Sequence, residues 1–209
     1  MKVVPFIYED IDDLVANSYI VVDNNDCVVI DASRLYDGLV NYIQKNGLNL
    51  KGILLTHCHF DHIRGVDRLV DAFHAPVYIG FYDADGLSDP HKNLSFYMNG
   101  EPIFVKAKVD TVSDKQELHL LSEPIIVIET PYHTIGSVCY YLKDSNILFS
   151  GDSLFKNSIG RDDLVTSIPY KKQSSLSKIM SLPEETKVYP GHGPFTKIGE
   201  EKKYNPFVK

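Results

Sequence analysis

The sequence lacks the features that mark membrane and secreted proteins. It contains no run of about 18 consecutive apolar residues, which is the length that a membrane-spanning helix requires. Residues 1–10 hold one lysine and a short apolar run interrupted by Pro5, and acidic residues follow at once, which is unlike a secretory signal. We therefore expect a cytoplasmic protein that does not associate with membranes.

Cysteine is also scarce, and tryptophan is missing altogether. The three cysteines, Cys27, Cys58 and Cys139, are odd in number and far apart in the sequence. This spacing is typical of reduced thiols in a cytoplasmic protein and argues against a disulfide framework. Cys58 alternates with two histidines, so we expect it to face the core as a small apolar residue.

Positive charge is in deficit, since 21 Lys and Arg residues stand against 28 Asp and Glu residues, for a net charge of −7. Such a field repels nucleic acid on average, although it allows a local basic patch. We therefore predict a small-molecule substrate and no nucleic-acid partner. The sequence leaves monomer and homo-oligomer open.

The chain contains the ordinary material of one globular domain: 209 residues, 44% hydrophobic and 23% charged. Alternating and β-branched runs predict strands at 18–23, 27–31, 52–56, 76–80, 117–121, 125–130, 138–142, 147–150 and 187–190. Apolar residues at helical spacing predict helices at 35–43, 66–73 and 171–182. Residues 81–100 are polar and irregular, which indicates a functional loop or a short helix. Hairpins around strand–helix units indicate mixed α and β layers.

One stretch concentrates chemistry, namely the segment Thr56-His57-Cys58-His59-Phe60-Asp61-His62, which follows a predicted strand. His57, His59 and Asp61 lie two residues apart, so they point the same way in extended backbone, and His62 points elsewhere. Imidazole and carboxylate groups are ligands of zinc and iron. One short segment can therefore serve two metal ions, the arrangement of a hydrolytic two-metal site.

Three later motifs repeat this design, because in each a predicted strand runs into a histidine or an aspartate. Strand 125–130 precedes His133, strand 147–150 precedes Gly151-Asp152, and strand 187–190 precedes Gly191-His192. Side chains at strand ends can converge at one edge of a sheet.

The first motif resembles the T-H-x-H-x-D-H signature of the metallo-β-lactamase superfamily, and the later motifs occur in the order expected for it. The resemblance implies an α+β fold, a four-layer αβ/βα sandwich with two divalent metal ions at one edge of the sheets. The ions would be zinc, with iron or manganese as alternatives. It also implies the ligands: His57, His59 and His133 for the first ion, Asp61, His62 and His192 for the second, and Asp152 as the bridge.

Residues 151–155 and 158–164 are similar to the glyoxalase II-like thioesterases within that superfamily. This similarity implies hydrolysis of hydroxyacyl-glutathione-like thioesters by a metal-bridging hydroxide that Asp61 can orient. Only 17 residues follow His192. We therefore expect a single metallo-hydrolase domain over 1–209, without the added C-terminal helical domain of classical glyoxalase II.

Three residues are candidates for substrate contact. The guanidinium of Arg161 can pair with a substrate carboxylate, or it can form a structural pair with Asp162, Asp163 or another acid. Lys156 is a second candidate for binding an anion. Tyr132 stands where the family has glycine before the third histidine, so it can reshape the pocket.

Other functions of the same fold stay open. A persulfide dioxygenase with one iron shares most of these motifs, and phosphodiesterases and nucleases share the fold. An antibiotic-degrading β-lactamase is less favoured, because the sequence shows no export signal and the ligand set includes Asp61. A metal-dependent binding scaffold is the non-enzymatic alternative.

Overall fold

The computed structural model describes residues 1–7, 15–33, 37–98 and 100–208. Within these residues, twelve strands form two six-stranded sheets. The strands are β1 Lys2–Phe6, β2 Ser18–Asp23, β3 Asp26–Ile30, β4 Asn49–Leu55, β5 Val77–Gly80, β6 Val109–Val112, β7 Glu117–Leu118, β8 Ile125–Glu129, β9 Val138–Leu142, β10 Ile147–Gly151, β11 Lys187–Pro190 and β12 Thr196–Lys197. The helices are α1 Asp37–Lys45, α2 Phe60–Ile63, α3 Val66–Phe73, α4 Ser95–Met98, α5 Lys172–Met180 and α6 Ile198–Tyr204, with 3-10 turns at Phe81–Ser88 and Pro169–Lys171.

The two sheets follow the order of the sequence. The first has the strand order β1 to β6, with antiparallel pairing from β1 to β3 and parallel pairing from β3 to β6. The second has the order β12 to β7, and only its β10–β11 pair is parallel. In a parallel pair the carboxyl ends of both strands lie at the same edge. The segments that follow β3 and β4, and those that follow β10 and β11, therefore emerge together.

Three apolar layers hold the sheets and helices together. Between the sheets lie residues such as Tyr19, Leu54 and Phe149. The outer face of the first sheet packs on α1 and α3. The outer face of the second sheet packs on α5 and α6, through residues such as Ile179 and Ile198. The molecule is thus the predicted four-layer αβ/βα sandwich.

The predicted elements are present, with small shifts at their ends. The expected helix at 35–43 is α1, although Leu35, its predicted first residue, lies outside the described residues. The 81–100 segment contains a 3-10 helix and α4. Sequence patterns did not predict β1, β6, β12 or α6, which are short or carry little apolar periodicity. None of the described helices has the length and apolar character needed to span a membrane.

Candidate metal centre

Strand ends at one edge of the sandwich deliver the candidate ligands. The segment with His57, His59, Asp61 and His62 follows β4. His133 follows β8. Asp152 follows β10 and His192 follows β11, and these two strands form the parallel pair of the second sheet. The seven side chains therefore come from both sheets, and the rigid strands fix where each segment begins.

All seven side chains meet in one cluster. Three groups have ligand atoms within 4.8 Å of one another: His57 with His59 and His133, His57 with His62 and Asp152, and Asp61 with His62 and His192. The first and third groups are the predicted ligands of the two ions. The second group, which contains Asp152, shares a histidine with each of them. The Asp152 carboxylate thus lies between the two halves of the cluster, where a bridging ligand belongs.

The backbone departs from the extended form that the His-x-His-x-Asp spacing assumes. Phe60 begins α2, with His59 as its N-cap, so Asp61 lies in a helical turn. His62 Nε2 is 3.7 Å from Asp61 Oδ2 and 3.3 Å from Asp152 Oδ1. The expectation that His62 points away from Asp61 is therefore wrong, because the helical turn brings both side chains to the same cluster.

Four histidines use one ring nitrogen to contact the surrounding protein. His62 Nδ1 lies 2.8 Å from Asp31 Oδ2, and His133 Nδ1 lies 2.8 Å from the carbonyl oxygen of Arg161. His57 Nδ1 contacts Thr56 Oγ1 at 3.1 Å. His59 contacts a hydroxyl through Nε2 instead, at 3.0 Å from Thr166 Oγ1. Such contacts set the tautomer and orientation of a metal-binding imidazole, and here each leaves the other nitrogen facing the cluster.

Unpaired buried atoms show that the cluster suits a cation. His57 Nε2, His62 Nε2 and Asp152 Oδ1 are buried and form no hydrogen bond of normal geometry, although the last two atoms lie 3.3 Å apart. Leaving buried polar atoms unpaired costs about 1–3 kcal/mol each, so such atoms are rare. These three atoms belong to one candidate ligand group, and an ion bound there would satisfy all of them.

The charges in the cluster lead to the same conclusion. Burial opposes ionisation of Asp152, yet His192 and His62 hold the pKa of its carboxyl well below the usual value. Burial and the nearby imidazole of His62 lower the pKa of His57 far below normal. Burial and His133 lower the pKa of His59 to about 3. His57 and His59 thus favour the neutral form that binds metals, and the Asp152 carboxylate lies where positive charge is favourable.

A cavity of about 320 Å³ opens directly onto the cluster. His59, Asp61, His133, Asp152 and His192 form its polar side. Its apolar side consists of Phe60, Leu94, Met98, Phe155 and Leu164. Met98 and Leu94 come from the 81–100 segment, so that segment contributes to the wall. The cavity can therefore hold an apolar group beside the candidate metal centre.

The three residues predicted to contact substrate lie in three different places in the structure. Arg161 lines the cavity, and its guanidinium pairs with Asp163 through contacts of 2.6 and 3.0 Å. Lys156 lines a neighbouring groove instead of this cavity. The prediction that Tyr132 contacts substrate is wrong, because its side chain is fully buried and its hydroxyl donates a 2.6 Å hydrogen bond to the carbonyl oxygen of Ser153. Tyr132 braces the turn that carries Asp152.

Two supporting residues escaped the sequence analysis. Asp31 accepts hydrogen bonds from the Thr56 amide and hydroxyl, in addition to its contact with His62. A signal for it existed, since an aspartate directly follows the apolar run of β3, as in the ligand motifs. Thr166 had no comparable signal, because only the fold brings it to His59.

Cys58 is buried as predicted, and its amide donates to the carboxylate of Asp83 at 3.0 Å.

Comparison with known proteins identifies a family. The model of the metallo-beta-lactamase superfamily matches residues 11–192. The chain is 34% identical over 194 residues to the "probable metallo-hydrolase YqgX" of Bacillus subtilis, with 92% of each chain covered. It is 32% identical over 181 residues to a hydroxyacylglutathione hydrolase of Prochlorococcus marinus, which covers 83% of this chain and 63% of that relative.

Solved structures share the fold over nearly the whole chain. The B3 metallo-beta-lactamase BLEG-1 superposes with a TM-score of 0.88 at 38% identity, covering 92% of this chain and 94% of that one. TTHA1623, solved in a di-iron-bound form, has a TM-score of 0.83 at 36% identity over the same shares. ETHE1 from Myxococcus xanthus has a TM-score of 0.79 at 26% identity, covering 99% and 84%.

Proposed function

The chain belongs to the metallo-beta-lactamase superfamily, and from this premise we propose that it is a metal-dependent thioesterase acting on hydroxyacyl-glutathione-like thioesters. The observation that carries the proposal is the cavity that joins the His/Asp cluster to an apolar wall and to one arginine. The 32% identity to a hydroxyacylglutathione hydrolase supports the same reaction.

The cluster supplies the hydrolytic part of the reaction. The seven candidate ligands would hold two divalent ions, zinc in the first instance. When bound, such ions lower the pKa of water to about 7 and polarise a carbonyl group. Asp61 lines the cavity, and its Oδ2 is 3.1 Å from His192 Nε2. Its carboxylate can therefore orient an attacking water at the boundary of the cluster and the cavity.

A thioester is a better substrate for this site than an amide, because its leaving group needs no proton donor. Hydrolysis forms a bond between the oxygen of water and the acyl carbon, the carbon–sulfur bond breaks, and the protons of the water pass to solvent, which leaves a carboxylate and a thiolate. The departing thiol has a pKa near 8.5, so the sulfur leaves as a thiolate without a dedicated proton donor. The apolar wall accommodates the acyl group, and Arg161, which also lines the cavity, can attract a carboxylate of the thiol carrier.

A second candidate function is β-lactam hydrolysis, which the 38% identity to BLEG-1 favours. The two reactions differ in the bond that is cleaved, because a lactam releases an amine nitrogen that needs a proton. Parallel assays with S-lactoylglutathione and nitrocefin therefore separate them.

The test uses the purified protein after its metal content has been measured. We expect about two metal ions per chain and a kcat/KM for S-lactoylglutathione above that for nitrocefin and for bis-p-nitrophenyl phosphate. Faster turnover of either competitor would contradict the proposal. A single iron per chain with oxygen-dependent sulfite formation from glutathione persulfide would replace it with a dioxygenase.

A further inference from the structure

A second concavity lies beside the metal centre and has no role in the chemistry above. This groove of about 670 Å³ is larger than the cavity at the cluster. Three lysines and three aromatic residues dominate its lining: Lys156, Lys187, Lys197, Tyr189, Phe195 and Tyr204. We refer to it as the lysine groove.

The lysine groove has an unusual charge. Lys187 and Lys197 are direct cross-strand partners in the β11–β12 pair, where like charges destabilise a sheet. Among residues 1–7, 15–33, 37–98 and 100–208, none forms an ion pair with Lys156, Lys187 or Lys197. In a chain with a net charge of −7, acids to pair with them are plentiful. Three lysines without an ion-pair partner around one concavity therefore favour an anionic ligand.

The two acids of the groove offset only part of the lysine charge. Glu201 is fully buried, and its oxygens accept hydrogen bonds from the Asn157 amide, the Thr196 hydroxyl and the Asn205 amide group. Glu200 is the exposed acid of the lining. Three lysines against two glutamates leave the lining with a formal net charge of +1.

Aromatic rings form the other part of the lining. The ring of Tyr189 stacks on that of Phe149 with 5.4 Å between the ring centroids, and its centroid lies 5.2 Å from that of Phe195. Phe195 is 44% exposed and Tyr204 is 64% exposed, so both rings present open faces or edges. Exposed aromatic rings beside lysines can stack on a planar base while the ammonium groups bind phosphates.

The lysine groove shares two backbone segments with the cavity at the cluster. Phe155 lines the cavity, and the next residue, Lys156, lines the groove. Likewise, His192 lines the cavity, whereas Tyr189 and Phe195, which precede and follow it in the sequence, line the groove. A ligand held in the groove can therefore extend a flexible arm around these segments to the metal centre.

We propose that the lysine groove binds the nucleotide end of a coenzyme A thioester, whose adenine and phosphates match its rings and lysines. The inference rests on the proposed thioesterase function and adds coenzyme A as a second thiol carrier beside the glutathione-like carrier proposed above. The pantetheine arm of such a substrate would place the thioester in the cavity, so the chemistry at the cluster is unchanged. Lys156, predicted from the sequence to bind an anion of the substrate, acts here at a distance from the reacting bond.

Calorimetry tests the lysine groove without any turnover. We expect coenzyme A to bind the metal-loaded protein at least about tenfold more tightly than pantetheine, which lacks the nucleotide. The double variant Lys187→Gln/Lys197→Gln should abolish that difference. The matched control is Lys202→Gln/Lys203→Gln, which removes the same charge from α6 outside the groove and should preserve it. Equal binding of coenzyme A and pantetheine by the wild type would overturn the inference, as would tighter binding of a short RNA.

Kinetics separates this inference from the proposed function. With one acyl group on two carriers, Lys187→Gln/Lys197→Gln should raise KM about tenfold for the coenzyme A thioester and leave KM for the pantetheine thioester unchanged. Hydrolysis of both thioesters with equal KM values would overturn the groove assignment and keep the thioesterase. Lysine-dependent binding of coenzyme A without hydrolysis of either thioester would support the groove and overturn the thioesterase.

Discussion

At the scale of single residues, Arg161 has two contacts with different consequences. Its carbonyl oxygen lies 2.8 Å from His133 Nδ1 and so supports a candidate ligand. Its guanidinium is held by Asp163, and both side chains are more than half exposed. Exposed pairs of this kind contribute about 0–1 kcal/mol to stability, so the pair is weak enough for a substrate carboxylate to compete with it.

We predict that Arg161→Ala raises KM about tenfold for a thioester with a carboxylate on its carrier and leaves a neutral thioester unaffected. The substitution keeps the carbonyl that supports His133, so metal content should not change. Asp163→Asn should have the opposite effect and lower KM for the acidic substrate, because it releases the guanidinium. Steady-state kinetics with S-lactoylglutathione and a neutral analogue measures both. Equal effects on the two substrates would remove the anchoring role of Arg161.

At the scale of elements, the ligand loops after β10 and β11 are packed tightly against each other. The Gly191 amide donates a 2.8 Å hydrogen bond to the carbonyl oxygen of Gly151. A Cβ atom on Gly191 would lie 2.2 Å from Asp152 Oδ1 and 2.7 Å from His62 Cε1. Real Cβ atoms do not approach so closely, so only glycine lets these two loops meet.

Gly191→Ala is therefore expected to displace the Asp152 carboxylate and to lower metal affinity at least about tenfold. Gly193→Ala is the matched control two residues away. A Cβ atom there has no neighbour within 4 Å, although φ of +74° adds strain of about 1 kcal/mol. Metal analysis after dialysis against a weak chelator compares the variants. The steric argument fails should Gly191→Ala retain metal as well as Gly193→Ala does.

At the scale of the whole molecule, the metal centre lies where the two sheets meet. Protein contacts already join the sheets at this edge. The Asn17 side chain donates to the carbonyl oxygens of Pro190 and Gly193, and the Tyr19 hydroxyl donates to that of Pro190. From the other sheet, the Tyr140 hydroxyl donates to the carbonyl oxygen of Leu55. Bound ions would add a link between ligands from both sheets.

Removal of metal should therefore destabilise the whole fold. One ion at a hundredfold excess over its Kd adds about 2.7 kcal/mol to the free energy of unfolding, which corresponds to a rise of about 5–10 °C in Tm. Calorimetry with zinc, after a chelator and after zinc is restored, measures the shift. His59→Ala should reduce it, whereas His119→Ala, which changes an exposed histidine outside the cluster, should not. An unchanged Tm after verified metal removal would refute the link between sheets.

Several properties of this protein follow from its sequence alone. The His-x-His-x-Asp-His spacing and the three later strand-end motifs identify the cluster residues, because each ligand lies within a few residues of the end of an apolar strand. The resemblance of these motifs to those of the metallo-β-lactamase superfamily implies the family and the layered fold. Asp31 also follows a strand, but its supporting role was found only in the tertiary structure, through its contacts with His62 and Thr56.

The tertiary structure alone decided the rest, because it depends on contacts between residues far apart in the chain. The helical turn at Phe60 turned Asp61 and His62 toward one cluster, against the alternation that their spacing suggests. Packing buried Tyr132 and directed Lys156 to a separate groove. The register of β11 and β12 set Lys187 opposite Lys197, ten residues apart. Local sequence motifs thus predict the metal centre, whereas the surfaces that would select a substrate depend on how distant segments pack.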